Sequence, residues 1–261
     1  MADMGQATKG TWQRTLGLSL LVPSLLMFVR ATGTSQFFEW FWSEQGPLEL
    51  SHVLIPLFAV GVGIVTLWTR RNLLPPQEID LRWLTVAIVG LSLMCFAIAG
   101  EEASWGQHLV GWSTPEGWSA VNDQQETNLH NIGTWADQKP RAIVELGVII
   151  FGILWPVWHL LTSQKFDAKW AVLLPPMMVL PVTFCGEAVR LLETVPKLLG
   201  VANPSAFPRP SELQEFYFYT FFALCMWTWR QRLLTGLDAA ESGEVTIRIP
   251  REDEQPERIA A

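Results

Sequence analysis

The chain alternates between long apolar runs and shorter polar connections. Each of six apolar runs approaches the roughly 20 residues that a helix needs to cross the hydrocarbon core of a bilayer. These runs predict membrane spans near residues 16–33, 50–68, 83–100, 142–161, 170–192 and 216–234. We therefore predict an all-α fold, a polytopic transmembrane helix bundle of about six spans within residues 1–237.

Four of the runs contain proline, and the chain ends in a polar tail. Pro23 lies inside the first run, where we expect a tolerated kink in an uncleaved span rather than a signal peptide. The fifth run contains the pair Pro175 and Pro176, so an interrupted helix is expected there. Residues 238–261 are acidic and punctuated by proline, which predicts a disordered tail.

A polar and aromatic insert, residues 101–141, separates the third run from the fourth. We expect helical segments at the membrane interface here, because two triplets of polar residues have helical spacing and would each line one face. The triplets are Glu101, Ser104 and His108, and Asn122, Glu126 and His130. Acids, amides, a hydroxyl and imidazoles crowded into one short stretch indicate a site.

The composition agrees with a membrane protein. Of 261 residues, 49% are apolar and only 16% are charged, and the chain has 14 tryptophans. The net charge of −7 argues against a nucleic-acid partner, which would require a basic surface. The three cysteines fall inside apolar runs, where thiols behave as small hydrophobic groups. Membrane lipid is therefore the expected environment.

The distribution of lysine and arginine predicts the orientation. With the N-terminus inside, nine of these residues flank the cytoplasmic ends of the spans and six flank the opposite ends. This bias favours cytoplasmic N- and C-termini, in a bacterial inner membrane. The acids of the connections then gather at the non-cytoplasmic ends of the helices. Buried there, they would repel one another unless they shared protons, bound a cation or met cationic partners.

The candidate site residues come from this acidic end of the bundle. Carboxylates and imidazoles serve as general acids, general bases and metal ligands, whereas amides and indoles hold substrates. The catalytic candidates are Glu101, Glu102, Ser104, Glu126 and His130, and the substrate-binding candidates are Trp105, Gln107, Asn128, Asn131 and Glu187. The candidate metal ligands are Glu102, Glu126 and His130, and the spacing does not choose among zinc, manganese, magnesium and iron.

Simple structural roles also account for many of these polar residues. The adjacent acids at 101 and 102 could be helix-end residues in water, and Glu126 with His130 could be a local pair. His52, at the head of the second span, fits a capping or structural hydrogen bond better than a ligand. Glu212 and Glu215 suit the first turn of a helix, where the dipole favours negative charge.

Three blocks of the insert resemble a known pattern. Residues 100–107 read GEEASWGQ, residues 114–116 read TPE, and residues 126–131 read ETNLHN. They are similar to the Glu-Glu-x-Ser-Trp-Gly-Gln, Thr-Pro-Glu and Asn-Leu-His-Asn blocks of a group of uncharacterised bacterial multi-pass membrane proteins, although Ala103 replaces the usual isoleucine. The resemblance covers about the middle third of the chain. It implies a shared site in the insert and does not assign its chemistry.

Three functional hypotheses fit these observations. The first is an integral membrane enzyme, a hydrolase or transferase that acts on a lipid or lipid-linked substrate at the non-cytoplasmic face, where the acids and His130 bind a divalent metal ion or serve as general acid and base. The second is an ion- or proton-coupled transporter or channel, suggested by intramembrane acids and the interrupted fifth run. The third is a non-catalytic assembly subunit. The His-Glu-x-x-His and Gly-x-Ser-x-Gly signatures of known enzyme classes do not occur in the sequence.

Overall fold

A computed structural model describes residues 2–32, 35–43, 46–69, 81–122, 126–129, 133–162, 173–201 and 207–235. Within these residues every regular element is helical and there is no strand. The predicted all-α fold class is therefore confirmed. The predicted tail, residues 238–261, lies outside the described residues.

Helices, one 3₁₀ turn and one π segment make up the regular structure of the described residues. In chain order they are α1 (Ala2–Thr32), α2 (Ser35–Phe41), α3 (Pro47–Thr69), α4 (Leu81–Glu102), a 3₁₀ turn (Ser104–Gly106), α5 (Gln107–Val110), α6 (Glu116–Ser119), α7 (Gly133–Val148), a π segment (Ile149–Leu154), α8 (Trp155–Thr162), α9 (Val179–Leu198) and α10 (Pro210–Thr235). The π segment joins α7 to α8 without a break in the helix.

Among the described residues, four helical segments are long and apolar enough to cross a membrane. They are Gln13–Thr32, Pro47–Thr69, Arg82–Glu102 and Lys139–Thr162, and they overlap the first four predicted spans. At most 33% of the apolar window in each segment is buried inside the bundle. Large apolar side chains such as Phe58, Phe96 and Leu161 therefore face outward, where lipid accommodates them and water would not. The chain has the features of a membrane protein.

The last two predicted spans are not among these four segments. α9 carries Glu187, Arg190 and Lys197, so its sequence is less apolar than that of the other spans. α10 contains charged residues at both ends and is enclosed by other helices over much of its length. Four candidate spans are thus shown, and the count of six stays a prediction.

α10 lies at the centre of the bundle, packed against α3, α4 and α9. Phe218 and Met226 belong to a core cluster shared with α3 and α4. Leu213 and Tyr217 belong to a second cluster shared with α1 and α9. Because both clusters lie on α10, its first turns are held beside the start of α3 and the end of α4.

The π segment brings its helix close to α9. A Cβ atom added at Gly152 would overlap the side chain of Thr183, so only glycine allows this approach. The hydroxyl of Thr183 donates to the carbonyl oxygen of Gly152 at 2.7 Å. Glu145 lies on the helix that contains the π segment, and Glu187 lies on α9. Both accept from the same residue of α10, Gln214.

Candidate functional site

Three helix ends meet at one point: the start of α3, the end of α4 and the start of α10. Glu49 and His52 are three residues apart in α3 and so lie on one face of the helix. Glu102 is the last residue of α4. One potential ligand atom from each of these residues lies within 4.8 Å of the other two. This helix-end cluster, Glu49, His52 and Glu102, could hold a metal ion.

Helix stability explains only part of the cluster. Glu49 lies in the first turn of α3, which begins at Pro47, and both residues suit a helix start. Glu102 has the opposite placement, because a negative charge at the C-terminal end of a helix is unfavourable. Its side chain is only 15% exposed. A carboxylate in that position requires compensation from its neighbours.

The His52 ring is held in one orientation. The side chain is 1% exposed, and Nε2 lies 3.0 Å from the backbone oxygen of Glu212. Since a carbonyl only accepts, Nε2 carries the hydrogen. Nδ1 lies 3.6 Å from Oε2 of Glu102. In the neutral ring, Nδ1 would present a lone pair to a carboxylate oxygen, an arrangement that a proton or a metal cation between the two atoms would stabilise.

Tyr219 of α10 orients Glu102. Its hydroxyl donates to Oε1 of Glu102 at 2.9 Å, which leaves Oε2 as the oxygen that faces His52. The Tyr219 ring is buried and meets the His52 ring edge-on, with 5.4 Å between the ring centroids. One aromatic side chain therefore contacts two members of the cluster.

Arg209, immediately before α10, lies beside Glu49. Its Nη1 atom is 3.9 Å from Oε2 of Glu49, and its Nε atom pairs with Oε1 of Glu212. Burial raises the pKa of Glu212 to about 7, an effect that Arg209 opposes and the charge of Glu49 strengthens. The guanidinium thus offsets part of the negative charge at this end of the bundle.

A second arginine begins a polar chain that runs between the helices. Nη1 of Arg141 pairs with Oε1 of Glu215 at 3.1 Å, and Nη2 donates to Oε1 of the fully buried Gln214. Nε2 of Gln214 then donates to Glu145 at 3.3 Å and to Oε2 of Glu187 at 3.5 Å. In the described part of the chain, the other oxygen of Glu187 is buried without a hydrogen bond.

The formal charges of the described side chains at the meeting point do not cancel. Among these residues, four carboxylates and two guanidinium groups sum to a formal charge of −2 when every carboxylate is ionised and His52 is neutral. The acids are Glu49, Glu102, Glu212 and Glu215, and the arginines are Arg141 and Arg209. One divalent cation would neutralise this set.

Polar residues of the insert are hydrogen-bonded to one another. The Ser104 hydroxyl donates to Oε2 of Glu126, and Nδ2 of Asn128 lies 2.7 Å from the same oxygen and 3.0 Å from the Ser104 oxygen. Nδ2 of Asn122 lies 2.9 Å from both the backbone and the side-chain oxygen of Asn128. Ser104, Asn122 and Asn128 are all buried. We call these four residues the insert network.

Gln107 connects the two halves of the insert. Its Oε1 atom accepts from the backbone nitrogen and the hydroxyl of Thr127, both at 2.8 Å. Its Nε2 atom donates to the Thr114 hydroxyl at 2.8 Å. The insert thus folds as a compact loop around its own polar side chains.

A strained turn joins the insert to α4. Ser104 and Trp105 have positive φ angles of 43° and 55°, a region that residues other than glycine occupy at a cost. The Trp105 ring lies over Gly100, where an added Cβ would be 2.8 Å from it. Its Nε1 donates to Glu101 at 2.8 Å, and Glu101 also accepts from the backbone nitrogen of Leu129. These contacts fold the insert back onto the end of α4.

The structure places the predicted site residues in different surroundings. Glu102 faces His52 and Tyr219, whereas Glu126 is bonded to Ser104 and Asn128. The other predicted residues of the insert that can be placed, Glu101, Trp105 and Gln107, make the loop contacts described above. His130 and Asn131 lie outside the described residues, so the predicted metal set of Glu102, Glu126 and His130 stays a prediction.

Sequence reasoning did not select Glu49, His52 or Tyr219 as site residues. The available signal was a Glu-x-x-His pair at the head of a membrane span, which places an acid and an imidazole on one helix face. Tyr219 lies 117 residues from Glu102 in the chain, and local spacing cannot reveal such a contact.

Comparisons with known proteins do not extend this description. No known protein family, curated protein or solved structure matches the chain. The geometry of the site is therefore the basis for assigning a function.

Proposed function

We propose that this protein is an integral membrane enzyme, a metal-dependent hydrolase or transferase that acts on a lipid or lipid-linked substrate. The observation that carries the proposal is the buried His52 ring, whose Nδ1 atom faces Oε2 of Glu102 at 3.6 Å beside Glu49. Apolar helices surround the cluster, so a lipid headgroup could approach it while the acyl chains stay in the membrane.

Three features favour a divalent cation at this position. Two carboxylates and one imidazole suit zinc, manganese, iron or magnesium. The formal charge of −2 at the meeting point matches one such ion. Metal-binding histidines commonly donate a hydrogen bond from their second ring nitrogen to a carbonyl or carboxylate, as Nε2 of His52 does to the backbone carbonyl oxygen of Glu212.

A cation held by three protein ligands has coordination positions left for water and substrate. There it would polarise a carbonyl or phosphoryl oxygen, or supply hydroxide at neutral pH. Arg209, beside Glu49, would stabilise negative charge that develops on the substrate. The reaction class proposed is therefore hydrolysis, or transfer of the same group to another acceptor.

The predicted site residues of the insert would contact the substrate beside the proposed cation. The insert, residues 101–141, has Glu102 as its second residue, which keeps it next to the cluster in the chain. The residues proposed to shape the substrate side are Glu101, Ser104, Trp105, Gln107, Glu126, Asn128, His130 and Asn131. Glu187 would act from within the bundle, through Gln214.

We also propose the topology that the charge distribution predicts. α9 and α10 would complete six spans in a bacterial inner membrane, with both termini in the cytoplasm. The helix-end cluster would then face the non-cytoplasmic side, and the insert would lie at that interface. Exposed aromatic side chains near this end, Phe37, Trp40, Trp105 and Trp112, suit the headgroup region.

Metal content tests the proposal. Wild-type protein purified in detergent, measured by mass spectrometry, is expected to hold one divalent ion per chain. His52→Ala and Glu102→Gln should lose it, and the matched control Glu126→Gln should keep it. Loss in Glu126→Gln as well would favour the metal set of Glu102, Glu126 and His130. A wild-type protein without metal would overturn the metal-dependent mechanism.

Activity is tested on lipid vesicles with the metal-loaded protein. Released headgroups or transferred groups are followed by mass spectrometry for phospholipid and glycolipid substrates. We expect product with wild type and a loss of at least about 100-fold in Glu102→Gln, as for removal of a group that acts in the transition state. Metal binding without any product would support the cation site and contradict the proposed enzyme activity.

A second candidate function is cation- or proton-coupled transport. The observation that favours it is the polar chain from Arg141 through Gln214 to Glu145 and Glu187, with one buried Glu187 oxygen unbonded among the described residues. Intramembrane acids of this kind commonly mark ion pathways. Ion flux into proteoliposomes that is lost in Glu187→Gln, with no lipid turnover, would select this alternative.

A further inference from the structure

We infer that α10 and the residue before it orient all three ligands of the proposed cation site, and that Tyr219 positions Glu102 within it. This inference rests on the proposed cation site and adds the groups that decide its geometry. None of the three ligands lies on α10. Each of them is nevertheless contacted from that side of the bundle.

The contacts follow the chain in order. Arg209 lies beside Glu49, with Nη1 3.9 Å from Oε2. The carbonyl oxygen of residue 212 accepts from Nε2 of His52 at 3.0 Å, so Nδ1 is the nitrogen left for a cation. The hydroxyl of Tyr219 donates to Oε1 of Glu102 at 2.9 Å, and Oε2 is the oxygen that faces Nδ1 of His52. All three residues of the cluster are therefore contacted by α10 or by the residue before it, and the contacts to His52 and Glu102 select which of their atoms face each other.

Tyr219 has the most direct role among these groups. A glutamate at the end of a helix has several rotamers, and an unrestrained carboxylate would lose entropy when it binds a cation. The Tyr219 hydroxyl removes that freedom, because it is fixed by a ring buried in the α3–α4–α10 core. It also satisfies the non-ligating oxygen of a partly buried acid, which is costly to leave without a hydrogen bond.

A purely structural role for Tyr219 would be to fill the core with its ring. The substitution Tyr219→Phe keeps the ring and removes only the hydroxyl, so it separates the two roles. The chain has only two tyrosines, and the other provides a matched control. Tyr217 is equally buried on the same helix, and its hydroxyl donates to the backbone oxygen of Ser19 at 2.6 Å, away from the cluster.

The first measurement is Zn²⁺ and Mn²⁺ affinity of the full chain in detergent, for wild type, Tyr219→Phe and Tyr217→Phe. Loss of an orienting hydrogen bond to a metal ligand typically weakens binding about 10- to 100-fold, and this is expected for Tyr219→Phe. Tyr217→Phe should bind within about twofold of wild type. Equal affinity in wild type and Tyr219→Phe would overturn the inference and leave the cation site standing. A wild type that binds neither ion overturns both.

A second measurement does not require Tyr219→Phe to fold. In the Tyr217→Phe background, 3-fluorotyrosine labels position 219 alone, because no other tyrosine remains. Its fluorine resonance should shift when Zn²⁺ is added, since the hydroxyl contacts a ligand carboxylate. The signal of wild-type Tyr217, assigned by its absence in this background, should stay in place. A resonance at position 219 that does not move while Zn²⁺ binds would contradict the inference.

Discussion

The insert network and the helix-end cluster are both groups of polar side chains at the end of α4, but they differ in the kinds of groups they contain. In the insert network, Ser104, Asn122, Glu126 and Asn128 satisfy one another through neutral and charged hydrogen bonds. In the helix-end cluster, carboxylates from two helices meet a buried imidazole, and the described carboxylates and arginines around it sum to a formal charge of −2 when all are ionised. The insert has the more polar sequence, whereas the cluster has the stronger need for an added cation.

The difference between the two regions follows from the hydrogen-bonding capacity of their side chains. A crowded polar sequence can stabilise itself, because amides and hydroxyls both donate and accept. Carboxylates only accept when ionised, so several of them at one point require protons, arginines or a metal. The type of group, and not the density of polar residues, separates the two regions.

Removal of the proposed cation should have the largest effect, a loss of folded-state stability that depends on the helix-end cluster and not on the insert network. At a free ion concentration of about a thousand times Kd, a bound cation stabilises the folded state by about 4 kcal/mol. We expect chelation to lower the unfolding temperature of wild type, measured by tryptophan fluorescence in detergent. His52→Ala should show no response to the chelator, whereas Asn128→Ala should respond as wild type does.

If His52→Ala and wild type lose equal stability on chelation, the ion binds elsewhere. A response lost in Asn128→Ala instead would move the cation site into the insert and reverse the roles of the two regions.

Asn128→Ala should have the next largest effect, confined to the insert. The Asn128 side chain is 1% exposed and bonds Ser104, Asn122 and Glu126. Its removal leaves buried polar groups without partners, at a cost of about 3 kcal/mol. Hydrogen exchange and limited proteolysis should show faster opening of residues 104–129. The half-buried Ser119, whose hydroxyl bonds only within its own helical turn, is replaced by alanine as the control and should change exchange little.

Gly100→Ala should have an intermediate effect on the junction between the two regions. The added methyl group would meet the Trp105 ring at 2.8 Å and push the turn away from α4, at a cost of about 2 kcal/mol. Thermal unfolding measures it. Gly90→Ala in the same helix is the matched control, because nothing lies within 4 Å of its added Cβ. Equal stability of the two variants would show that the Trp105 contact is unimportant.

The smallest expected effect is a pH dependence from Glu212. Burial raises the pKa of this carboxyl from 4.5 to about 7 in the folded protein, so the folded state binds the proton more tightly than the unfolded state. Its contribution to stability is full below pH 4.5 and is lost as pH rises through 7. Metal-free wild type should therefore lose stability over this window, and Glu212→Gln should lose less. Parallel pH profiles would exclude this assignment.

The sequence alone determined the helical, membrane-type character of the chain. A backbone in hydrocarbon must satisfy its own hydrogen bonds, so apolar runs of sufficient length imply helices, and four such helices are present. The charge distribution and the acids at the span ends also predicted that carboxylates would gather at one end of the bundle. Glu102 was selected in this way.

The contacts of Glu102 with His52 and Tyr219 depend on how the helices pack in the tertiary structure. Its partners His52 and Tyr219 come from helices far away in the chain, and their contact depends on the central position of α10. The same packing determined that the Ser104 and Asn128 side chains bond within the insert. Sequence spacing describes neighbours on one helix, whereas a site built from three helix ends depends on how the helices pack, which is a property of the whole core.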